Sequence, residues 1–331
     1  MKALVYRNAH ALADFQLELA ELPDPELRPG DLLIEVRAIS TNPVDTKVRS
    51  SRSAAEGAPP VVLGWDAAGV VRAVGPTAVG FSVGDEVYYA GDLLRPGSYA
   101  ELQAVDHRVV AHKPRSLSFV EAAALPLTSL TAWEGLFERG IGYGRDSVVL
   151  VLGGAGGVGS MATQLVRAHT EARVVATASR PETVEWCRSL GANVVVDHRG
   201  DLREQLTAAG LGEVDVVFGT TQTDQYLRLL PSLLRPFGHF LLIDDPKSLD
   251  VLPLKRKAIS THWEFMFSKL LHDYDVASQG EILTRVAAWI DAGKLRSPLG
   301  RTFTGLTADN LRQAHELHET GRAIGKLGIT F

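Results

Sequence analysis

Five glycines fall within seven positions, 153–159, in the stretch VVLVLGGAGGVGS. An ordered glycine costs backbone entropy, so this density needs a physical reason. Gly154, Gly156 and Gly159 fit G-x-G-x-x-G, and Gly153 and Gly157 are additional. The pattern follows an apolar run and opens a segment in which Val158, Met161, Ala162, Leu165 and Val166 share one helical face. In such a strand–turn–helix unit the first glycine makes the turn, the second admits a pyrophosphate, and the third packs helix on strand. The phosphates meet backbone N–H groups at the positive end of the helix, so Ala155 and Val158, between the glycines, count among the contacts. A tight turn without a ligand is the alternative. A Walker phosphate loop is excluded, because no Gly-Lys-Ser/Thr follows. The stretch predicts a bound dinucleotide.

The end of the second strand selects between dinucleotides. An NAD site places Asp or Glu there, about 20 residues on, to hold the ribose 2′-hydroxyl. This chain has Ala178-Ser179-Arg180. A carboxylate would repel a 2′-phosphate, whereas a hydroxyl and a guanidinium bind it. Ser179 and Arg180 therefore predict NADPH. The competing reading is that Arg180 merely starts a solvated helix.

These residues need elements to hold them. Apolar runs at 148–153, 172–179, 193–198, 214–220 and 239–244 read as strands, separated by helical segments such as RPETVEWCRSLG and TDQYLRLLPSLLRP. Near-continuous Val and Leu runs between amphipathic helices indicate a parallel sheet covered on both faces. The N-terminal part differs: in DLLIEVRAIS, Ile34, Val36 and Ala38 alternate with Glu35 and Arg37, the period of a strand with one wet face.

Composition bounds the rest. The 331 residues are 45% hydrophobic, enough for about two domains. The net charge of −5 and the lack of a basic block give no reason to propose nucleic acid or an anionic membrane as partner. No signal-peptide core and no membrane-length apolar run occur, so a cytoplasmic protein is expected. The single cysteine, Cys187, rules out an internal disulfide and reads as a passive buried thiol. His107 and His112 show no metal-ligand grouping and read as surface.

The segments TNPVDTKVR, VLGWDAAGVV, VGDEVYYAGD, AALPLTSLTAW, GGAGGVGS, ATASRPET, and IDDP followed by ISTHWEFMF span nearly the whole chain. In their order and spacing the chain resembles the medium-chain dehydrogenase/reductase superfamily. Within it, the chain is similar to the quinone oxidoreductase (zeta-crystallin-like) branch and the proteins labelled zinc-type alcohol dehydrogenase-like. The resemblance implies an α/β fold: a Rossmann doubly wound parallel-sheet domain (125–270) inserted into a GroES-like β-rich catalytic domain (1–124) that 271–331 completes.

Zinc-using relatives carry a catalytic Cys where this chain has Ser40-Thr41-Asn42, and His-Glu where it has Trp65-Asp66. They also carry a four-cysteine lobe. A catalytic zinc needs three protein ligands and an open position, and Asp45 and Asp66 alone form an oxygen-only set ill suited to zinc. No metal is expected. Without a Lewis acid the acceptor should be conjugated, so that charge spreads and hydrogen bonds and positioning suffice.

The resemblance also assigns residues. Asn42 and Asp45 lie in the active-site loop, Asn42 to bond the acceptor or the nicotinamide ribose. Asp45 either touches substrate or braces the loop, with Arg49 as partner. Thr131 lies beside the nicotinamide or caps a helix. His198 replaces a family tyrosine that approaches the 2′-phosphate, or is simply exposed. Phe218, Gly219, Thr220 and Ile243 lie at carboxyl ends of strands, where nucleotides bind. Lys326, in a family glycine-lysine pattern, counts among the cofactor contacts. Trp65, Tyr89, Trp263, Phe265 and Met266 either wall a flat acceptor pocket or belong to the core.

The expected protein is a zinc-independent NADPH-dependent oxidoreductase that transfers hydride to a quinone or an α,β-unsaturated carbonyl. A non-catalytic NADPH-binding protein and a zinc alcohol dehydrogenase are the alternatives. The resemblance, with the apolar segment 258–267, adds a homodimer.

Overall fold

The computed structural model describes all 331 residues. They divide into one unit built from both chain ends, Met1–Leu127 with Phe267–Phe331, and a second formed by Thr128–Met266.

The first unit is β-rich. Its strands are β1 (Lys2–Tyr6), β2 (Glu18–Glu21), β3 (Asp31–Thr41), β4 (Val61–Val62), β5 (Ala67–Val74), β6 (Glu86–Tyr89), β7 (Leu102–Asp106) and β8 (Val110–His112). Helix α1 (Pro43–Ser51) follows β3 and α2 (Phe119–Ala123) follows β8, while α3 (Pro126–Phe137) carries the chain into the second unit. The expected alternation along β3 holds as far as Ala38: Ile34, Val36 and Ala38 are buried, and Arg37 faces solvent. From Ala38 to Thr41 every residue is buried, which brings the end of this strand, and the loop after it, into the interior.

The second unit alternates strand and helix: β9 (Val148–Leu152), α4 (Gly157–His169), β10 (Arg173–Thr177), α5 (Pro181–Ser189), β11 (Val194–Val196), α6 (Leu202–Ala208), β12 (Val214–Gly219), the one-turn helices α7 (Thr223–Tyr226) and α8 (Leu230–Leu233), β13 (Leu234–Leu242) and β14 (Ser260–Trp263). All six strands pair in parallel, in the order β11-β10-β9-β12-β13-β14. This is the doubly wound Rossmann order, whose reversal beside β9 opens a crevice at the carboxyl ends of the strands. β9 is buried throughout, and α4 covers the sheet with Met161, Ala162, Leu165 and Val166, all fully buried. Val158 is only half-buried and stands at the margin of that face.

The long helix expected over TDQYLRLLPSLLRP is broken into α7 and α8. Gln222 starts α7 in the left-handed region at φ 53°, and Pro231 removes a helical donor. The chain then returns to the first unit through α9 (Ser268–Leu271), α10 (Ala277–Asp291), β15 (Leu299–Thr304), α11 (Ala308–Glu319) and β16 (Lys326–Thr330). β16 pairs antiparallel with the end of β3, Leu327 opposite Thr41 and Gly328 opposite Ser40. The first unit therefore depends on its C-terminal strand to close its main sheet.

Candidate functional site

The glycine turn at the end of β9 separates its glycines by role. Gly153 sits in the left-handed region at φ 78°; its N–H donates to Thr177 Oγ1 (2.9 Å), and the Gly154 N–H to the Thr177 carbonyl (3.1 Å). A Cβ on Gly153 would lie 2.6 Å from Thr220 Oγ1, on Gly154 2.7 Å from Ala176 Cβ, and on Gly159 2.3 Å from the Gly153 carbonyl oxygen. Protein packing thus forbids side chains at all three. Gly156 is different: its Cβ would meet only the Gly153 carbonyl oxygen, at 3.4 Å. The space before it lies at the start of α4, whose first-turn N–H groups have no partner within the helix and carry its positive end. This cradle fits the pyrophosphate of a dinucleotide. Ala155 is buried beside it.

At the end of β10 the chain turns through Ser179 and Arg180, which precedes the first residue of α5. Arg180 Nε pairs with Glu182 Oε1 at 3.2 Å, with its side chain 39% exposed. β11 stops at Val196, so His198 lies in the following turn and is exposed. Beside it stands Arg199, a residue sequence reasoning missed. Its guanidinium donates to both oxygens of Asp197 and, through Nη2, to the Ser179 carbonyl at 2.9 Å. The Asp197 carboxyl, hydrogen-bonded by Arg199, is pushed down to about 2. Two guanidinium groups and one imidazole therefore gather where β10 and β11 end. The signal was present, since Arg199 directly follows His198.

Not every strand-end residue faces outward. Phe218 is fully buried in the sheet and offers nothing to a ligand; as a central residue of a strand covered on both faces, it is core. Thr220 Oγ1 donates to the Leu152 carbonyl (2.7 Å), and the Ile243 N–H to the Gly219 carbonyl (3.3 Å), bonds that set the crevice wall. Thr131 is buried in the interior of α3, so it caps no helix. Trp263 and Phe265 are about half exposed, and Met266 is buried.

In the first unit the segment 40–46, the end of β3 and the start of α1, points its polar groups inward. Ser40 Oγ donates to the Leu327 carbonyl (3.0 Å), and Thr41 Oγ1 bonds His318 Nε2 (2.9 Å). Asn42 receives Lys326 Nζ at Oδ1 and donates through Nδ2 to Asp66 Oδ2 (2.9 Å). Asp45 Oδ2 accepts from the Asn42 N–H (2.7 Å) and the Tyr99 hydroxyl (2.9 Å). Asn42 and Asp45 are 1% and 0% exposed, so both hold the loop and neither offers a group to an acceptor. Arg49 is not the partner of Asp45: it binds His315 Nδ1 (2.8 Å) and Glu319. Lys326 has no hydrogen left for a cofactor, contrary to expectation, since Asn42, Asp66 and the Thr41 carbonyl take all three on its ammonium. Trp65 and Tyr89, each 1% exposed, are core rather than pocket wall. Trp65 Nε1 donates to the Asp92 carbonyl (3.0 Å) and Tyr89 Oη to Gln103 (2.9 Å). Burial pushes the Tyr89 phenol well up.

These residues do not fit a zinc ion. Asp66 Oδ1 accepts from the Leu127 N–H (2.8 Å), and Oδ2 from Asn42 and Lys326. Both oxygens are thus occupied by donors, and one of those donors is a cation. Neither Ser40 nor Trp65 offers a thiolate or imidazole.

A Rossmann unit and a β-rich unit closed by the C-terminal strand make up the architecture of a two-domain dehydrogenase or reductase. Residues 28–115 match the family model of the alcohol dehydrogenase GroES-like domain, and residues 190–327 that of zinc-binding dehydrogenase. A zinc-type alcohol dehydrogenase-like protein of Staphylococcus aureus (strain MSSA476) is 40% identical over 337 residues, 99% of each chain. An NADPH-dependent alkenal/one oxidoreductase, chloroplastic, of Arabidopsis thaliana is 32% identical over 98% of this chain and 79% of its own. A Rhizobium etli CFN 42 protein whose crystal structure is described as a zinc-dependent alcohol dehydrogenase is 46% identical, over 100% of this chain and 98% of its own, with TM-score 0.96. The chain belongs to the medium-chain dehydrogenase/reductase superfamily, among its zinc-type alcohol dehydrogenase-like members. It is an oxidoreductase.

Proposed function

We propose that this protein is a zinc-independent, NADPH-dependent reductase of conjugated carbonyls, quinones or α,β-unsaturated aldehydes and ketones. One observation carries the reading: the turn after β10 offers Ser179 and Arg180, with Arg199 bonded onto it, where an NAD site offers a carboxylate. The open cradle at Gly156 and the start of α4 supports the pyrophosphate, and Arg180, Arg199 and His198 the 2′-phosphate. When bound, the reduced nicotinamide supplies the hydride. The protein's part is to orient that donor, while Asn42, Asp45 and Lys326 hold the segment 40–46 in one conformation. A conjugated acceptor spreads the charge it gains and so needs no metal ion to take it. The NADPH dependence and the alkenal/one oxidoreductase activity named for the Arabidopsis relative favour the same reading. The working form is a homodimer, joined through the edge strand β14.

Stopped-flow oxidation of NADPH against a panel of quinones, enones and saturated ketones tests this. Rapid turnover is expected with the conjugated acceptors and none with the saturated ketones. Tight NADPH binding with no turnover on any acceptor would mark a nucleotide-binding protein instead.

A further inference from the structure

We propose that the Lys326 ammonium is a built-in cation that gathers the segment 40–46, the end of β3 and the start of α1, and leaves no place there for an external metal ion. Its Nζ reaches the Thr41 carbonyl (2.9 Å), Asp66 Oδ2 (2.8 Å) and Asn42 Oδ1. These are three acceptors for three hydrogens. They come from the end of β3, the residue capping α1, and the residue before β5, while Lys326 itself opens β16. One charge thus ties four segments together. Lys326, Asn42, Asp66 and Thr41 are all at most 2% exposed.

Lys326 and Asp66 form the buried ion pair of the cluster. Asp66 accepts at both oxygens and faces Lys326; burial pushes its carboxyl up, and the Lys326 charge opposes that shift. Asp45 is the second acid of the cluster; its Oδ1 has no partner, and burial pushes its carboxyl up to about 7. His318, on α11, bonds Thr41, and burial together with the nearby Lys326 charge pushes it down to about 3, so it adds no cation. An external ion would have to displace a buried, fully bonded ammonium. A buried pair adds little net stability, but removing one partner leaves an uncompensated charge at heavy cost.

The test uses the full chain and is independent of the acceptor, so it succeeds or fails apart from the reductase reading. The wild type, incubated with zinc and desalted, should retain no stoichiometric zinc by elemental analysis; one zinc per chain overturns the proposal. Lys326→Met should lower Tm by on the order of 10 °C. Asp66→Asn combined with Lys326→Met should recover part of that loss, because the stranded carboxylate is gone. If the double variant is no better than the single one, Lys326 acts through packing alone and the proposal fails. Acidity gives a further readout. In Lys326→Met the stranded Asp66 favours its protonated form in the fold. Its Tm deficit against wild type should therefore shrink as pH falls from about 8 to about 5. A deficit that stays constant over that range also overturns the proposal.

Discussion

Tyr99 donates its hydroxyl hydrogen to Asp45 Oδ2 at 2.9 Å, while its own oxygen lies 3.2 Å from His315 Nε2. The direction of this chain follows from Arg49, which donates to His315 Nδ1 at 2.8 Å and leaves the proton of the neutral ring on Nε2. Burial and the Arg49 charge hold His315 well below the usual imidazole range. Asp45 stands at the end of the chain. Burial raises its carboxyl to about 7, against the pull of the Asn42 N–H and the Tyr99 hydroxyl.

That raised value makes Asp45 a source of pH-dependent stability. The fold binds its proton more tightly than the unfolded chain does. The contribution is therefore full below the ordinary carboxylate range and is lost as pH rises through about 7. At about 1.4 kcal/mol per unit the span is a few kcal/mol. Asp45→Asn cannot titrate, so the Tm advantage of wild type over the variant should shrink between about pH 5 and pH 8. Differential scanning fluorimetry across that range checks it; parallel curves would mean that Asp45 is ionised throughout.

Two glycines three residues apart should fail in different ways. A Cβ at Gly159 would sit 2.3 Å from the Gly153 carbonyl oxygen, so Gly159→Ala should destabilise the second unit by about 1–3 kcal/mol or more. A Cβ at Gly156 would make only an ordinary contact, 3.4 Å from the Gly153 carbonyl oxygen, so Gly156→Ala should change stability by no more than about 1 kcal/mol. It should nonetheless weaken NADPH at least tenfold by filling the cradle. Chemical denaturation and fluorescence titration of both variants separate the two effects. Wild-type affinity in Gly156→Ala would remove the pyrophosphate from this turn.

Arg180→Asp should weaken NADPH by an order of magnitude or more and leave NADH nearly untouched, because repulsion replaces attraction at the 2′-phosphate. Arg199→Ala should act in the same direction by a smaller factor, since part of its charge is spent on Asp197. Parallel titrations with both cofactors measure the ratio. Equal losses for the two cofactors would make both arginines helix-start and turn residues only.

The second unit was legible because its signals are local: an apolar run, a glycine turn and an amphipathic helix adjoin in sequence. The glycine pattern even distinguishes its members, although only three-dimensional packing tells Gly156 from Gly159. The loop 40–46 was not legible in the same way. TNPVD could be placed by resemblance, but polar atoms of Ser40, Thr41 and Asn42 are satisfied by Leu327, His318 and Lys326, more than 270 positions away in the chain. No local period encodes such bonds. The same distance effect misread Trp65 and Tyr89: an aromatic on a strand looks alike whether its partner is core or ligand. Arg199 was lost for a simpler reason, because β11 ends two residues earlier than the apolar run suggests.

The last expectation concerns β14. It is the outermost strand of the parallel sheet, paired only with β13. Its residues are exposed or half-buried, and Trp263 at its end and Phe265 just beyond are 51% and 46% exposed. An open strand edge with large apolar neighbours is a pairing hazard that a symmetric copy removes. The same patch on both subunits can meet across a twofold axis. Light scattering at micromolar concentration should therefore report a dimer. Trp263→Glu with Phe265→Glu should shift it to monomer, since two charges per subunit would then face their own copies across the axis. A dimer that survives this double change joins through another face, and a monomeric wild type leaves β14 without the partner assigned to it.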